Sequence, residues 1–154
     1  MSPSVSSRLA ELGISLPEAA APVAAYVPAV LAGNLLHISG QVSFENGALL
    51  TGRIGEDRDL DFGIRAARAC GLMLLAQIEK AVGLDRVERI VKLGVFVNGA
   101  GSFIDQPKVA NGASMLMEEV FGEAGRHARA AVGVSSLPLG AAVEVDAIVA
   151  VKAA

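Results

Sequence analysis

The sequence predicts a single α+β domain in which a mixed β-sheet carries two helices on one face. Three observations lead there. The chain has 154 residues, the usual size of one domain, and no linker-like change of composition follows its N-terminal stretch. Residues 60–82 and 106–121 repeat apolar side chains at spacings of three and four, whereas the segments around them alternate or run apolar as strands do. Placing both helices on one side of a sheet is the simplest packing that buries both apolar stripes.

Along the chain, residues 4–12 set serines ahead of a short apolar periodicity that ends at Gly13, which reads as one or two helical turns. A Pro- and Ala-rich connector, LPEAAAPVAA, follows. Tyr26 to Leu31 and Leu35 to Val42 are extended runs joined by Ala-Gly-Asn, a hairpin-type turn. Pro28 has no N–H to donate, which puts the first run at a sheet edge or a strand end. Asn46-Gly47 is a second turn signal before the short extended run ALLTG and a charged loop. In residues 60–82, Ile64, Ala67, Gly71, Leu74, Ile78 and Ala81 share one helical face, and Gly83 stops the helix. Residues 87–97 alternate as a strand, and residues 106–121 form a second helix with Val109, Ala113, Leu116, Met117 and Val120 on one side. Residues 128–134 and 141–152 are the last two strands, read as a hairpin joined by SSLPLG. The predicted order is β-β-β-α-β-α-β-β.

Composition narrows the function. Hydrophobic residues make up 53% of the chain, only 4% of it is aromatic, and 17 residues are glycine, so the core is built of small side chains. A mean hydropathy of +0.51 leaves apolar surface for a subunit interface between identical chains. No window suits a membrane span, because the uncharged stretch running from Ala19 up to Glu45 is broken by Pro22, Pro28, Gly33, Asn34 and Gly40. The net charge of −3 and the lack of any Lys/Arg run argue against nucleic acid as a partner. The N-terminus lacks the pattern of a signal peptide, and the lone Cys70 cannot form an internal disulfide; both point to the cytoplasm.

Few residues can carry chemistry. His37 and His127 stand at no metal-ligand spacing, so no metal site is expected. Cys70 sits mid-helix and reads as a small buried hydrophobe. Gly99 and Gly101 make only a lone G-x-G, which is weak evidence for anything. The C-terminal strands are more informative. Arg129 is the first charge in a run of Ala, Val and Gly, and Glu144 lies between two valines in the strand read as facing it. Small neighbours leave room for a ligand above the guanidinium. The pattern fits equally a cross-strand Arg–Glu pair that stabilises an interface.

The run from Arg129 to Ala147, R-x-x-V-x-V-x-x-L-P-x-x-x-x-V-E-V-x-A, resembles the C-terminal signature of the RidA/YjgF family of reactive-intermediate deaminases, formerly labelled endoribonuclease L-PSP. GNLLHISGQ (33–41) is similar to that family's N-terminal hairpin and VKLGVFV (91–97) to its central strand. The resemblance implies a chorismate-mutase-like fold and a homotrimer with sheets in a central barrel, helices outside and clefts between subunits. It also implies hydrolysis of small 2-imino acids to 2-keto acids and ammonia without a cofactor. On this likeness Arg129 clamps the substrate carboxylate and Glu144 orients or activates water. Tyr26 lines the cleft, Ser39 and Gly40 form its floor, and Asn111 is the pocket asparagine. Residues 1–22 form an extension with a short helix, and 23–154 the family-like domain. The chain departs from the family pattern at Ala130 and Ala131, where many members carry Ser and Cys, and at AAYVP around Tyr26. A trimeric module that only binds a small carboxylate would use the same arginine; ribonuclease action fits an acidic chain without paired histidines poorly.

Overall fold

The computed structural model describes residues 4–22 and 24–154. Residue 23, where the sequence places the start of the family-like domain, lies outside the described residues. Helix α1 (Val5–Glu11) starts where the Ser4 side chain accepts a hydrogen bond from the Ser7 N–H, and it buries Leu9. It is tied to the body of the protein by Arg8, whose Nε donates to the Glu119 carbonyl at 2.8 Å.

Strands β1 (Ala29–Ala32) and β2 (Leu35–Val42) pair antiparallel across a tight turn with Gly33 at φ 63°. Strand β1 is shorter than predicted and leaves Tyr26 outside it. The reason is local: the Tyr26 N–H closes a turn onto the Ala24 carbonyl, and the strand begins only after Pro28. Asn46 (φ 52°) and Gly47 (φ 78°) make the expected turn, but the ribbon they join, β3 (Phe44–Glu45) with β4 (Ala48–Leu49), stands apart from the main sheet. The third predicted strand is therefore corrected to one arm of a minor hairpin.

Helix α2 (Leu60–Ala81) is capped by Asp59, whose carboxylate accepts from the Phe62 N–H at 2.9 Å. It ends at Gly83, which takes φ 87°. Strand β5 (Val87–Asn98) leads through helix α3 (Gln106–Phe121) into strand β6 (Ala128–Val134), which lies parallel to β5. Strand β7 (Val143–Val151) closes the chain, and the main sheet has the order β1-β2-β7-β5-β6. The two long helices cover one face, as predicted. They approach closely because Gly112 of α3 has no side chain; a Cβ there would run into the Ile64 carbonyl of α2.

The last two strands do not form a hairpin. After β6 the chain crosses the end of β5, where the Asn98 N–H donates to the Ala142 carbonyl at 2.9 Å and the Asn98 amide to the Ala141 carbonyl at 3.2 Å. It then enters β7 on the far side, between β2 and β5. Alternation explains this central place: Val143, Val145, Ala147, Val149 and Val151 are all buried under the helices, so β7 belongs mid-sheet. The opposite face carries Glu144, Asp146 and Phe96, and among the described residues no helix covers it. Among the described residues, no helix is long and apolar enough to cross a membrane.

Candidate functional site

Arg129 lies on the edge strand β6, paired in register with Leu93, whose side chain is buried beneath the helices. Neighbours at one level of a sheet share a face, so Arg129 points toward α3. There its Nη1 donates to Asn111 Oδ1 at 2.9 Å and to Ser114 Oγ at 3.1 Å, and its Nη2 donates to the Pro107 carbonyl at 3.4 Å. Behind this contact, His127 Nδ1 donates to the Gly125 carbonyl at 2.7 Å. In the neutral ring Nε2 then accepts from the Ser114 hydroxyl at 2.8 Å. Every partner of the guanidinium is neutral. The nearby Glu118 is paired with Arg126 at 3.2 Å.

Glu144 belongs to a different region. It lies on the uncovered face beside β2, where one extra residue between Ile38 and Gln41 bulges the strand. The bulge brings Gly40 beneath the carboxylate: a Cβ on Gly40 would stand 2.7 Å from Glu144 Oε2. Gly40 and Glu144 line a cavity of about 540 Å3 together with Tyr26, Pro28, Met73 and Leu139. Ser39 is not among its walls. Its hydroxyl donates to the Val27 carbonyl at 2.7 Å and fastens the segment that carries Tyr26.

The structure therefore separates the two charges that the sequence reading placed on facing strands. Arg129 is level with Leu93 and Ala147; Glu144 is level with Phe96. Strand β5 runs between them, they point to opposite faces, and two strand spacings plus three residues set them on the order of 10 Å apart in each direction. No Arg129–Glu144 ion pair forms within the chain. Arg129, Asn111 and Ser114 make one cluster; Tyr26, Gly40 and Glu144 make another.

The model of the family described as YjgF/chorismate mutase-like, which also bears an endoribonuclease label, matches residues 6–150. The chain belongs to the YjgF/chorismate mutase-like family. Protein TCP17 of Trypanosoma cruzi is 54% identical over 148 residues, covering 94% of this chain and 92% of that protein. The crystal structure of Atu1372 from Agrobacterium tumefaciens, a protein of unknown function, superposes with a TM-score of 0.88 at 45% identity, covering 97% of this chain and 92% of that one. A 2-iminobutanoate/2-iminopropanoate deaminase of Dermatophagoides farinae is 29% identical over 141 residues, covering 90% of this chain and 95% of that enzyme.

Within this YjgF/chorismate mutase-like chain, electrostatics distinguish the two clusters. Burial raises the Glu144 carboxyl above its ordinary pKa, and the neighbouring Asp146 raises it further. Asp146 is itself raised by burial, against the opposing pull of the Gly94 backbone hydrogen bond and Lys92. A carboxylate whose pKa is raised is a stronger base than an ordinary one and can accept a proton from water; a guanidinium with only neutral partners can take up a carboxylate through two parallel hydrogen bonds. Sequence reasoning missed Ser114 and His127 as members of this cluster, although Ser114 lies three residues after Asn111 on the same helical face and His127 lies two before Arg129, just ahead of β6. Gln77 was missed too. A glutamine inside an apolar helical stripe is the signal, because a buried amide must find partners.

Proposed function

We propose that this chain hydrolyses 2-imino acids and their enamine tautomers to 2-keto acids and ammonia, in a site completed between copies of the chain. The carrying observation is the separation of the two clusters. Each holds half of what the reaction needs, and the fold keeps them on opposite sides of one sheet. A cyclic homotrimer would set the Arg129 cluster of one copy against the Glu144 cluster of the next. Family membership and the deaminase relative support the reaction; exposed apolar side chains such as Val132, 46% exposed on the uncovered face, support assembly.

In that cleft Arg129 fixes the substrate carboxylate, which sets the imine carbon at a constant distance from Glu144. Glu144 accepts a proton as water attacks the C=N carbon. Glu144 then passes that proton to the nitrogen, giving the carbinolamine; on collapse the hydroxyl proton moves through the same carboxylate to the nitrogen, the C–N bond breaks, and the keto acid and ammonia leave. Orientation supplies most of the acceleration, because an imine already hydrolyses in water.

The test generates 2-iminobutanoate with a threonine dehydratase and follows keto-acid release in the presence of wild type or Arg129→Ala. Wild type is expected to speed release and the variant to lose the effect. Carboxylate binding without faster release would leave a binding module in place of an enzyme.

A further inference from the structure

The Glu144 cavity is larger and more apolar than a three- or four-carbon imino acid requires. Its volume is about 540 Å3, within the range of roughly 300–1,000 Å3 that encloses drug-sized molecules. Glu144 is part of its lining. The remaining wall is built mainly by Ala20, Pro22, Tyr26, Phe44, Met73 and Leu139.

Buried hydrogen bonds tie this wall together. Gln77 of α2, 2% exposed, donates from its amide nitrogen to the Ala20 carbonyl at 2.8 Å and to Gln41 Oε1 at 3.2 Å. Gln41 in turn donates to the Ser39 carbonyl at 2.8 Å, at the bulge that places Gly40 under Glu144. Residues 20–22, an N-terminal strap in the cavity lining, are thereby tied through the Ala20 carbonyl to helix α2 and, by way of Gln41, to the bulge beside Glu144. The amides of the wall are engaged with one another. Most of the lining is apolar, so an apolar substituent entering there leaves water and gains contacts, whereas a polar one gives up its hydration for few partners.

From this geometry we infer that the preferred substrates are 2-imino acids with bulky apolar side chains, of the kind formed by oxidation of leucine, methionine or phenylalanine. The inference rests on the proposed hydrolysis: with the substrate carboxylate on Arg129 of a neighbouring copy and the imine carbon at Glu144, the side chain points into the strap-lined cavity. The reaction class that must supply such imines is oxidative, since β-elimination from serine or threonine yields only small ones.

A D-amino-acid oxidase supplied with oxygen and catalase gives alanine-, leucine- and phenylalanine-derived imines in one format, because the imine carbon is planar and keeps no memory of its configuration. Hydrolysis is read as the loss of trapping by semicarbazide. The expected result is a kcat/KM about tenfold or more higher for the leucine- and phenylalanine-derived imines than for the alanine-derived one. Ala21→Phe, which fills the cavity from the strap, is expected to lower this ratio. The ratio is measured on one preparation, so a partly unfolded variant does not distort it. Equal or faster hydrolysis of the alanine-derived imine overturns the inference and leaves the hydrolytic reading standing. If no imine is hydrolysed faster than in buffer, both fall.

Discussion

Arg129 is surrounded by an amide oxygen, a hydroxyl and a backbone carbonyl, so its charge is oriented without being neutralised. Planar geometry matters in this setting. Arg129→Lys keeps the charge but loses the paired N–H groups, and kcat/KM is expected to fall about 10- to 100-fold, chiefly through KM. Steady-state kinetics on the best imine checks this. Glu144 carries the opposite consequence for pH. Its raised pKa means the folded chain holds that proton more tightly than the unfolded chain does. Its contribution to stability is therefore fullest below the ordinary carboxylate value and is lost as pH rises through the raised one. Turnover should move the other way, rising as Glu144 ionises. Asp146→Asn removes the lesser of the two causes, so the acidic limb of the pH–rate profile should shift downward without reaching the ordinary value. A limb that stays fixed would separate Asp146 from Glu144. Glu144→Gln should abolish turnover yet raise the melting temperature at neutral pH, since it removes a carboxyl whose charged form is penalised by burial and by Asp146.

Among the elements, the two helices were legible because a period of 3.6 is written in the sequence alone. Leu60–Ala81 and Gln106–Phe121 fall within a residue of their predicted bounds. Their closeness was not legible. Gly112 reads as an ordinary helical glycine until Ile64 of the other helix is found against it. Gly112→Ala is expected to destabilise the protein by about 1–3 kcal/mol through overpacking against backbone, a drop of several degrees in Tm. Gly101→Ala is the control: a Cβ there meets nothing within 4 Å, and its effect should stay within about 0.5 kcal/mol. Equal effects at the two glycines would remove the packing argument. The strands show the same limit. The pattern of residues 128–134 and 141–152 identified both strands, observed at Ala128–Val134 and Val143–Val151, and which residues share a face, yet nothing local says that β5 lies between them. That order is set by the α3 crossover and by the Asn98 hydrogen bonds that carry the chain over the end of β5.

For the whole molecule, the proposed site exists only if one copy's β6 edge meets another copy's Glu144 cavity. Subunit mixing tests this directly. Arg129→Ala and Glu144→Gln chains, each inactive alone, should regain about a quarter of wild-type turnover when refolded together at equal amounts. One interface in four then joins an intact arginine to an intact glutamate. No recovery in a mixed oligomer of confirmed composition would place both residues' work within one chain or outside catalysis. Light scattering on Val132→Asp should show a smaller species and a parallel loss of turnover.

By itself the sequence determined the domain's class, its helices, the faces of its strands and the residue types of the candidate site. These depend on local periodicity and on the short-range chemistry of turns and caps. Only the tertiary structure decided that Arg129 and Glu144 belong to different clusters, that Asn111 and Ser114 orient the guanidinium, and that Gln77 fastens the N-terminal strap in the lining of the Glu144 cavity. Strand order and contacts between distant segments arise from how the buried faces pack in three dimensions, and no spacing along the chain encodes them.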